Sequence, residues 1–302
     1  MSLNNKTLTI CIPTYNRKFY LEKQLIFFQK QISNNKNILD QVHFIVSDNA
    51  STDDTQSMIE AFDKKSKFFD FYSNSKNLGL VGNIIASLNR SVTDYVWFVS
   101  DDDHLKDGII ELIIDAIHNN GPEFVFINYL TKSKPSYKGA SGLQADSKDV
   151  ALEIFNQSYG SLVFMTACVY KRKNLEILSD NEMFTWLSAP LLYSFYSCSK
   201  SPIYIIGEPM ITFSQGNASY AGLKRILKLK FEEYIPILES LPKLGYDHIK
   251  VSKSIKLFFK YQSHSHFLYN FISPFNSLKL YKYYNISTFF AIPLNIIKYL
   301  FK

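Results

Sequence analysis

Apolar positions along the first 130 residues follow two alternating rhythms. A β-rich run from Thr7 to Pro13 stops at Thr14-Tyr15-Asn16-Arg17, and Leu21 to Ile32 then repeats at helical spacing. A compact apolar run, Val42 to Ser47, ends at Asp48. Thr52 to Phe62 predicts a helix, with Asp53 and Asp54 favourably placed in its first turn. Phe68 to Tyr72 predicts another strand, and Asn77-Leu78-Gly79 opens a helix through about Asn89. Tyr95 to Val99 predicts a strand that runs straight into Asp101-Asp102-Asp103. A helix from Asp107 to His118 and a strand from Glu123 to Tyr129 follow. Strands alternating with helices across short turns predict an α/β sheet of mostly parallel strands.

The second half is less regular. Lys132 to Asp146, rich in Ser, Lys, Gly and Pro, predicts a mobile loop or insertion. Beyond it the pattern predicts a helix at Ser147 to Asn156, a strand at Leu162 to Tyr170 and a helix at Glu182 to Ser197. Ile203 to Phe213 reads as one strand or a pair around Gly207. The expected division is a domain over 1–222, in two halves at 7–130 and 147–222, with a helical extension over 223–302.

Composition changes this picture in one respect. Hydrophobic residues make up 46% of the 302 and charged residues 20%, enough apolar mass for a large core. Aromatics reach 16%, with 25 Phe and 20 Tyr, an excess that needs a structural reason. The net charge of +6 is unevenly placed. Residues 223–302 hold 13 Lys/Arg and 4 Asp/Glu, a balance of +9, leaving −3 for residues 1–222. Lys224 to Phe231 and Leu278 to Tyr284 mix cations with large apolar side chains, which suits an anionic membrane surface, the plainer alternative being helices packed on the main domain with solvated lysines. Nucleic acid is not an expected partner, because no Arg-rich run or nucleic-acid motif accompanies the charge.

Leu8 to Pro13 is too short for a signal core, and no run reaches the roughly 18 to 20 apolar residues that span a bilayer. Ile286 to Phe301 comes nearest but is interrupted by Pro293, Asn295 and Lys298. The expected location is cytoplasmic, peripheral on the inner face of the plasma membrane. Cys11, Cys168 and Cys198 are widely spaced and odd in number, which predicts buried free thiols. His264 and His266 stand too close to share a helix face and predict packing or surface roles.

The candidate chemistry lies where strands end in acids: Ser47-Asp48 and Ser100-Asp101-Asp102-Asp103. In an open α/β sheet, ligands sit at the carboxyl ends of the strands. Three adjacent carboxylates repel, and a hard divalent cation such as Mn²⁺ or Mg²⁺ would relieve that repulsion while binding a diphosphate. Helix capping by Asp is the plainer explanation, but it requires one or two carboxylates rather than three.

Four motifs in order now resemble family-2 glycosyltransferases of the GT-A fold. They are Ile10-Cys11-Ile12-Pro13-Thr14-Tyr15-Asn16-Arg17, Val46-Ser47-Asp48-Asn49-Ala50-Ser51-Thr52-Asp53, Asn77-Leu78-Gly79 and the triple Asp. The resemblance covers about residues 7–130 and implies a GT-A domain, Rossmann-like with flanking helices, and a helical C-terminal extension. It implies a nucleoside-diphosphate sugar donor, with Pro13, Tyr15, Arg17 and Asn77 near it and Asp48 on the base. It places Asp101 and Asp102 on the donor and Asp101 and Asp103 on the metal. Asn83 after Gly82 is similar to O-antigen and capsule branch-sugar transferases, abequosyltransferases among them. The acceptor implied is an oligosaccharide, in this subgroup one carried on polyprenyl diphosphate.

Two positions depart from the family pattern. Ile84 stands where many members carry Arg, and Glu182-Met183, with Asp180 before it, stands where many carry Glu-Asp. An inverting transfer needs a carboxylate to take the acceptor's proton, and Asp180 and Glu182 are the candidates. Charge-matching of the following helix is an equal explanation for both acids. Trp186 could stack on a sugar or belong to the core. A sugar-1-phosphate nucleotidyltransferase would need a Gly-rich loop where Pro13 to Arg17 has none, and a dinucleotide-binding Gly-x-Gly-x-x-Gly turn is absent. A protein that binds nucleotide sugar without transfer is the non-enzymatic alternative.

Overall fold

The computed structural model describes residues 6–214 and 222–283. Its centre is a ten-stranded sheet. Strands β1 (Leu8–Thr14), β2 (Val42–Asp48), β3 (Phe69–Ser73) and β4 (Tyr95–Phe98) form a parallel block in the order β3-β2-β1-β4. Helices α1 (Lys18–Asn34), α2 (Ile38–Gln41), α3 (Thr55–Lys65) and α4 (Gly79–Arg90) make the connections. β1, β2 and β4 are buried along their whole length, as expected of strands covered on both faces.

The sheet then changes direction. After β4 the chain crosses to the short β5 (His104–Leu105) at the far edge and returns through α5 (Ile109–Asn120) to β6 (Phe124–Thr131). Between β4 and β6 lies β9 (Cys168–Lys171), antiparallel to both. β10 (Ile203–Thr212) runs parallel to β6, with a shift in register between Ile206 and Ile211. Gly207 sits in that irregular stretch, where a Cβ would meet Ser141 Oγ at 2.0 Å.

The predicted Lys132–Asp146 loop is instead folded onto the sheet. β7 (Lys134–Pro135) pairs with β6 and β8 (Gly142–Gln144) with β10. Asn128 clamps the segment by donating to the carbonyls of Tyr137 and Gly207, both at 2.9 Å. The predicted strand at Leu162–Tyr170 begins only at Cys168, because a 3₁₀ turn at Met165–Ala167 precedes it. The predicted helix at Glu182–Ser197 divides into a 3₁₀ turn, Glu182–Thr185, and α8 (Ala189–Lys200), with Pro190 in the first turn of the latter. α6 (Ser147–Gln157) fits its prediction; α7 (Arg172–Ile177) had no counterpart in the pattern.

Residues 223–283 are helical: α9 (Leu223–Lys228), α10 (Tyr234–Ser240), α11 (His248–Ile272) and α12 (Pro274–Leu280). They share the core of the sheet rather than forming a second one. Phe258 of α11 stacks on Phe155 of α6 with ring centres 6.2 Å apart, and Phe155 in turn meets Phe195 of α8 at 5.9 Å. Phe231, Phe259, His266 and Tyr269 continue this aromatic layer. Here is the reason for much of the aromatic excess: rings, each burying a large apolar area, join two stacks of helices. Lys224–Phe231 contributes the buried Leu227 and Phe231 to this packing, while Lys224, Arg225 and Lys228 stay exposed.

Cys11, Cys168 and Cys198 are buried and free, as their spacing predicted. His266 is buried against Ser277, while His264 is half-buried. Among the described residues no helix is long and apolar enough to cross a membrane. Ile286–Phe301 lies outside the described residues.

Candidate active site

Three parallel strands, β1, β2 and β4, deliver their carboxyl ends to one edge. Immediately past β1 the chain turns at Asn16, whose φ of 53° lies in the left-handed region that Asn tolerates. The turn is locked to the loop after β2: Asn16 N donates to Ser51 Oγ at 2.8 Å and Thr52 N to Asn16 Oδ1 at 2.7 Å. This lock aims Arg17 across the top of β1 at the end of β4.

Arg17 is the hub of the acid cluster. Its Nε lies 2.8 Å from Asp101 Oδ1, although the N–H is not aimed squarely at that oxygen, and its Nη2 donates to Asp102 Oδ2. The guanidinium also covers the Tyr20 ring, 4.6 Å from its centre. Thr14 donates to Asp101 Oδ2 at 2.8 Å and Ser100 to Asp102 Oδ1 at 2.5 Å. Two of the three acids are therefore compensated by one guanidinium, a solution that residue order alone did not show.

Asp103 is held differently. Thr166 donates to its Oδ2 at 2.6 Å and Ser214 N to its Oδ1 at 3.2 Å, while Ser100 N donates to Thr166 Oγ1 at 3.0 Å. Asp103 is 4% exposed and none of these partners is a cation. Burial raises its pKa to about 7, against the opposing pull of Thr166 and Ser214 N. Burial also raises Asp101, but only to about 6, because Arg17 and Thr14 pull it back. The two aspartates raise the Arg17 pKa in return, overcoming its partial burial.

The three acids, His104 and Ser214 line a cleft of about 200 Å³ closed on the other side by Tyr20, Lys23, Gln24 and Phe27 of α1. The donor set suits a hard divalent cation, and Asp103, buried with no counter-charge among the described residues, is the side chain whose demand such an ion would satisfy. Among the described residues, no three Asp, Glu, His or Cys side chains converge as a ready cage. Asp101 and Asp103 turn to different partners, Arg17 and Thr14 for the first and Thr166 and Ser214 for the second.

Other expected donor residues divide into open and occupied. Tyr15 is exposed and Arg17 half-exposed at the strand edge. Pro13 is buried within β1, past the last β1–β4 pair at Cys11–Phe98, where its missing N–H costs the ladder nothing. Asp48 is buried, and its carboxylate accepts from Ser51 N, Ser51 Oγ, Gln56 Nε2 and Ser73 Oγ. A base N–H would have to displace or share one of these donors. Asn83 is 2% exposed and fully engaged: it donates to Ser47 O at 2.9 Å and accepts from Ser47 Oγ and Asn74 Nδ2. It ties α4 to β2 from inside. Asn77 is exposed and accepts from Gly79 N at 2.8 Å, holding the turn that starts α4 at Gly79, φ +74°.

Asp180 and Glu182 are exposed on the segment between α7 and α8, and among the described residues no hydrogen bond or ion pair joins either to the strand-end acids. Trp186 is half-buried against the core. Sequence reasoning missed Thr14, Ser100, Thr166 and Ser214, the neutral donors to the three acids. Only Thr166 left a sign, as a lone polar residue in the apolar stretch Leu162–Tyr170.

Comparison with solved structures finds the same architecture. S. aureus TarS 1-349 in complex with UDP-GlcNAc superimposes with a TM-score of 0.57 at 12% identity, covering 91% of this chain and 89% of that chain. A mannosyltransferase from Pyrobaculum calidifontis, in complex with GDP-Man and Mn²⁺, gives 0.55 at 13% identity, covering 96% and 86%. Against a longer TarS chain, this protein spans 43% of that length. These likenesses establish the GT-A architecture.

Sequence relatives include the abequosyltransferase RfbV of Salmonella typhimurium, 24% identical over 254 residues, covering 76% of this chain and 74% of the relative. The GalNAc(5)-diNAcBac-PP-undecaprenol β-1,3-glucosyltransferase of Campylobacter jejuni is 26% identical over 273 residues, covering 84% and 86%. The model of glycosyl transferase family 2 matches residues 9–175, from β1 through the acid cluster and Thr166 into α7. With more than half its length under that model and every strand of the parallel block included, this chain belongs to glycosyl transferase family 2.

Proposed function

We propose that this enzyme moves one sugar from a nucleoside diphosphate to a hydroxyl of a glycan acceptor, an oligosaccharide carried on polyprenyl diphosphate, with Mn²⁺ or Mg²⁺ bound beside the donor. One observation carries the reading: Asp103, a buried acid with no counter-charge among the described residues, opens on a cleft at the carboxyl edge of the sheet beside an acid pair held by Arg17. The similarity to an abequosyltransferase and to a glucosyltransferase named for an undecaprenol-linked acceptor supports the acceptor class.

In this scheme the acceptor oxygen attacks C1 of the sugar, the bond from C1 to the diphosphate oxygen breaks, and the configuration at C1 inverts. Asp103, with Asp101 beside it, would hold the divalent ion, which supplies neutralisation of charge on the departing diphosphate. Arg17 orients Asp101 and Asp102 and offsets their charge, and Tyr15 offers a ring beside the nucleotide. Asp48, Asn77 and Asn83 shape the donor pocket mainly by fixing its walls. We assign the acceptor's proton to the Asp180 and Glu182 segment, whose exposed carboxylates precede α8.

The test is thermal unfolding with nucleoside diphosphates, with and without Mn²⁺, followed by donor turnover. A ligand at a hundred times its dissociation constant stabilises by about 2.7 kcal/mol. Metal-dependent stabilisation accompanied by release of nucleoside diphosphate is the expected result. Binding without any release, with acceptor or without, would leave a sensor instead.

A further inference from the structure

The helices that close the aromatic layer have an outer face with a different character. α11 buries Val251, Ile255, Phe258 and Tyr269 inward. On its opposite side, Lys253, Lys256, Lys260, His264, Phe267 and Phe271 follow one another at intervals of three or four residues. Such spacing lines them up as a single stripe about 27 Å long. The stripe is basic at its start and aromatic at its end, where Phe267 and Phe271 touch with ring centres 5.4 Å apart. α12 extends the aromatic end: Phe271 is 76% exposed, Phe275 82% and Leu278 66%, with exposed Lys279 next to them. A single exposed ring is ordinary, but a contiguous group of them marks a contact surface.

Charge narrows the choice of partner. Asp247 is the last acid of the chain, and the following 55 residues contain eight lysines and no Asp or Glu. Lys250 and Lys282 are paired with Asp149 and Glu239. Lys253, Lys256 and Lys279 have no acidic partner among the described residues. A second copy meeting this face would bring its own lysines and no acid after Asp247, adding to the uncompensated charge instead of neutralising it. The chain's own residues 284–302 add Lys298 and Lys302 and no acid, so they cannot neutralise the stripe. An anionic bilayer meets both demands, taking phenylalanines into the headgroup boundary while lysines reach the lipid phosphates.

We propose that the outer face of α11 and α12 docks on an anionic lipid surface, with Phe271, Phe275 and Leu278 as the inserted tip. This places the contact on a face of two packed helices rather than on the basic run at Lys224–Phe231, and it stands independently of which sugar is transferred. The experiment is sedimentation of the full chain with phosphatidylcholine vesicles, with and without phosphatidylglycerol. Binding should require phosphatidylglycerol and fall at least about tenfold at high salt. The paired substitutions F271S/F275S and K253E/K256E should each lower it by about tenfold or more, while both variants keep parental affinity for nucleoside diphosphate with Mn²⁺. Failure of the parent to bind anionic vesicles, or binding that neither variant weakens, overturns the proposal. So does a concentration-dependent dimer that both variants dissociate, which would give the face to a second copy.

Discussion

The acid cluster at the sheet edge and the outer face of α11 and α12 break the usual partition of side chains in opposite directions. At the edge, Asp101 and Asp103 are each 4% exposed; on α12, Phe275 is 82% exposed. Folding ordinarily places charge in water and rings in the core, since the reverse destabilises in both cases. A residue kept in the unfavourable environment points to something the folded chain alone does not supply. Within the cluster the same contrast recurs on a smaller scale. Asp101 has a guanidinium and Asp103 has only neutral donors, so the cluster is half satisfied by the protein and half left for a ligand.

Removing the unsatisfied half should have the largest effect. Asp103→Ala is expected to lower turnover by about 10²–10³-fold and abolish stimulation by Mn²⁺, since electrostatic stabilisation of a leaving group of this kind is worth several kcal/mol. Turnover assays across a Mn²⁺ titration would show it. Full activity in the alanine variant would mean that the buried acid serves packing alone.

Removing the satisfied half should act on stability. Arg17→Ala leaves Asp101 buried with Thr14 as its one remaining partner and strips Asp102 of its cation. Loss of one partner from a largely buried ion pair destabilises by about 3 kcal/mol. Urea unfolding would measure it, and adding Asp101→Asn to Arg17→Ala should recover part of the loss by removing the stranded charge. If the double variant is no better than the single, Arg17 stabilises through its Tyr20 contact instead.

Asp103 also gives the apo protein a characteristic pH dependence. Its folded pKa of about 7 lies above the unfolded value of 3.8. Below the unfolded value both states hold the proton and stability is full. As pH rises towards 7 the unfolded chain releases its proton first, so stability falls and stays low above the folded pKa. Asp103→Asn cannot titrate. Relative to the parent, it should gain on the order of 1–3 kcal/mol between pH 4 and pH 8 in the presence of chelator. Comparing the two pH values cancels the fixed effect of turning an amide towards Ser214 N. Saturating Mn²⁺ should reverse the order at pH 8 by stabilising the parent alone.

The parts of this arrangement that were legible in the sequence are those written in local order. Val46-Ser47-Asp48 and Val99-Ser100-Asp101 each show an apolar run ending in acid, within a regular alternation of strand and helix that marks buried parallel strands. What was not legible depends on residues far apart in the chain. Arg17 meets Asp101 across 84 positions and Thr166 meets Asp103 across 63, and neither distance leaves a periodic trace. Leu162–Tyr170 misled for a related reason: an apolar run reports burial, and the 3₁₀ turn at Met165–Ala167 is as buried as the strand that follows it. Asp48 and Asn83 show a third limit. Both lie at motif positions tied to the donor by resemblance, yet their side chains are spent on Ser51, Gln56, Ser73, Ser47 and Asn74.

The smallest expected effect is on the outer face of α11, and the inner face of the same helix supplies the contrast. Phe258 packs against Phe155, Tyr159 and Phe231, and its truncation to alanine should destabilise by about 4 kcal/mol. Phe271, on the same helix and in the same residue class, is exposed and touches Phe267, and Phe271→Ser should change stability by no more than about 0.5 kcal/mol. A core ring contributes through the contacts it keeps, whereas an exposed ring gives the free fold almost nothing. If Phe271→Ser were to destabilise by as much as Phe258→Ala, the ring would belong to the packing of this chain and the outer face would need no partner. If the melting curves of Phe271→Ser and the parent coincide while vesicle binding differs, the phenylalanine is retained for a contact made outside the molecule.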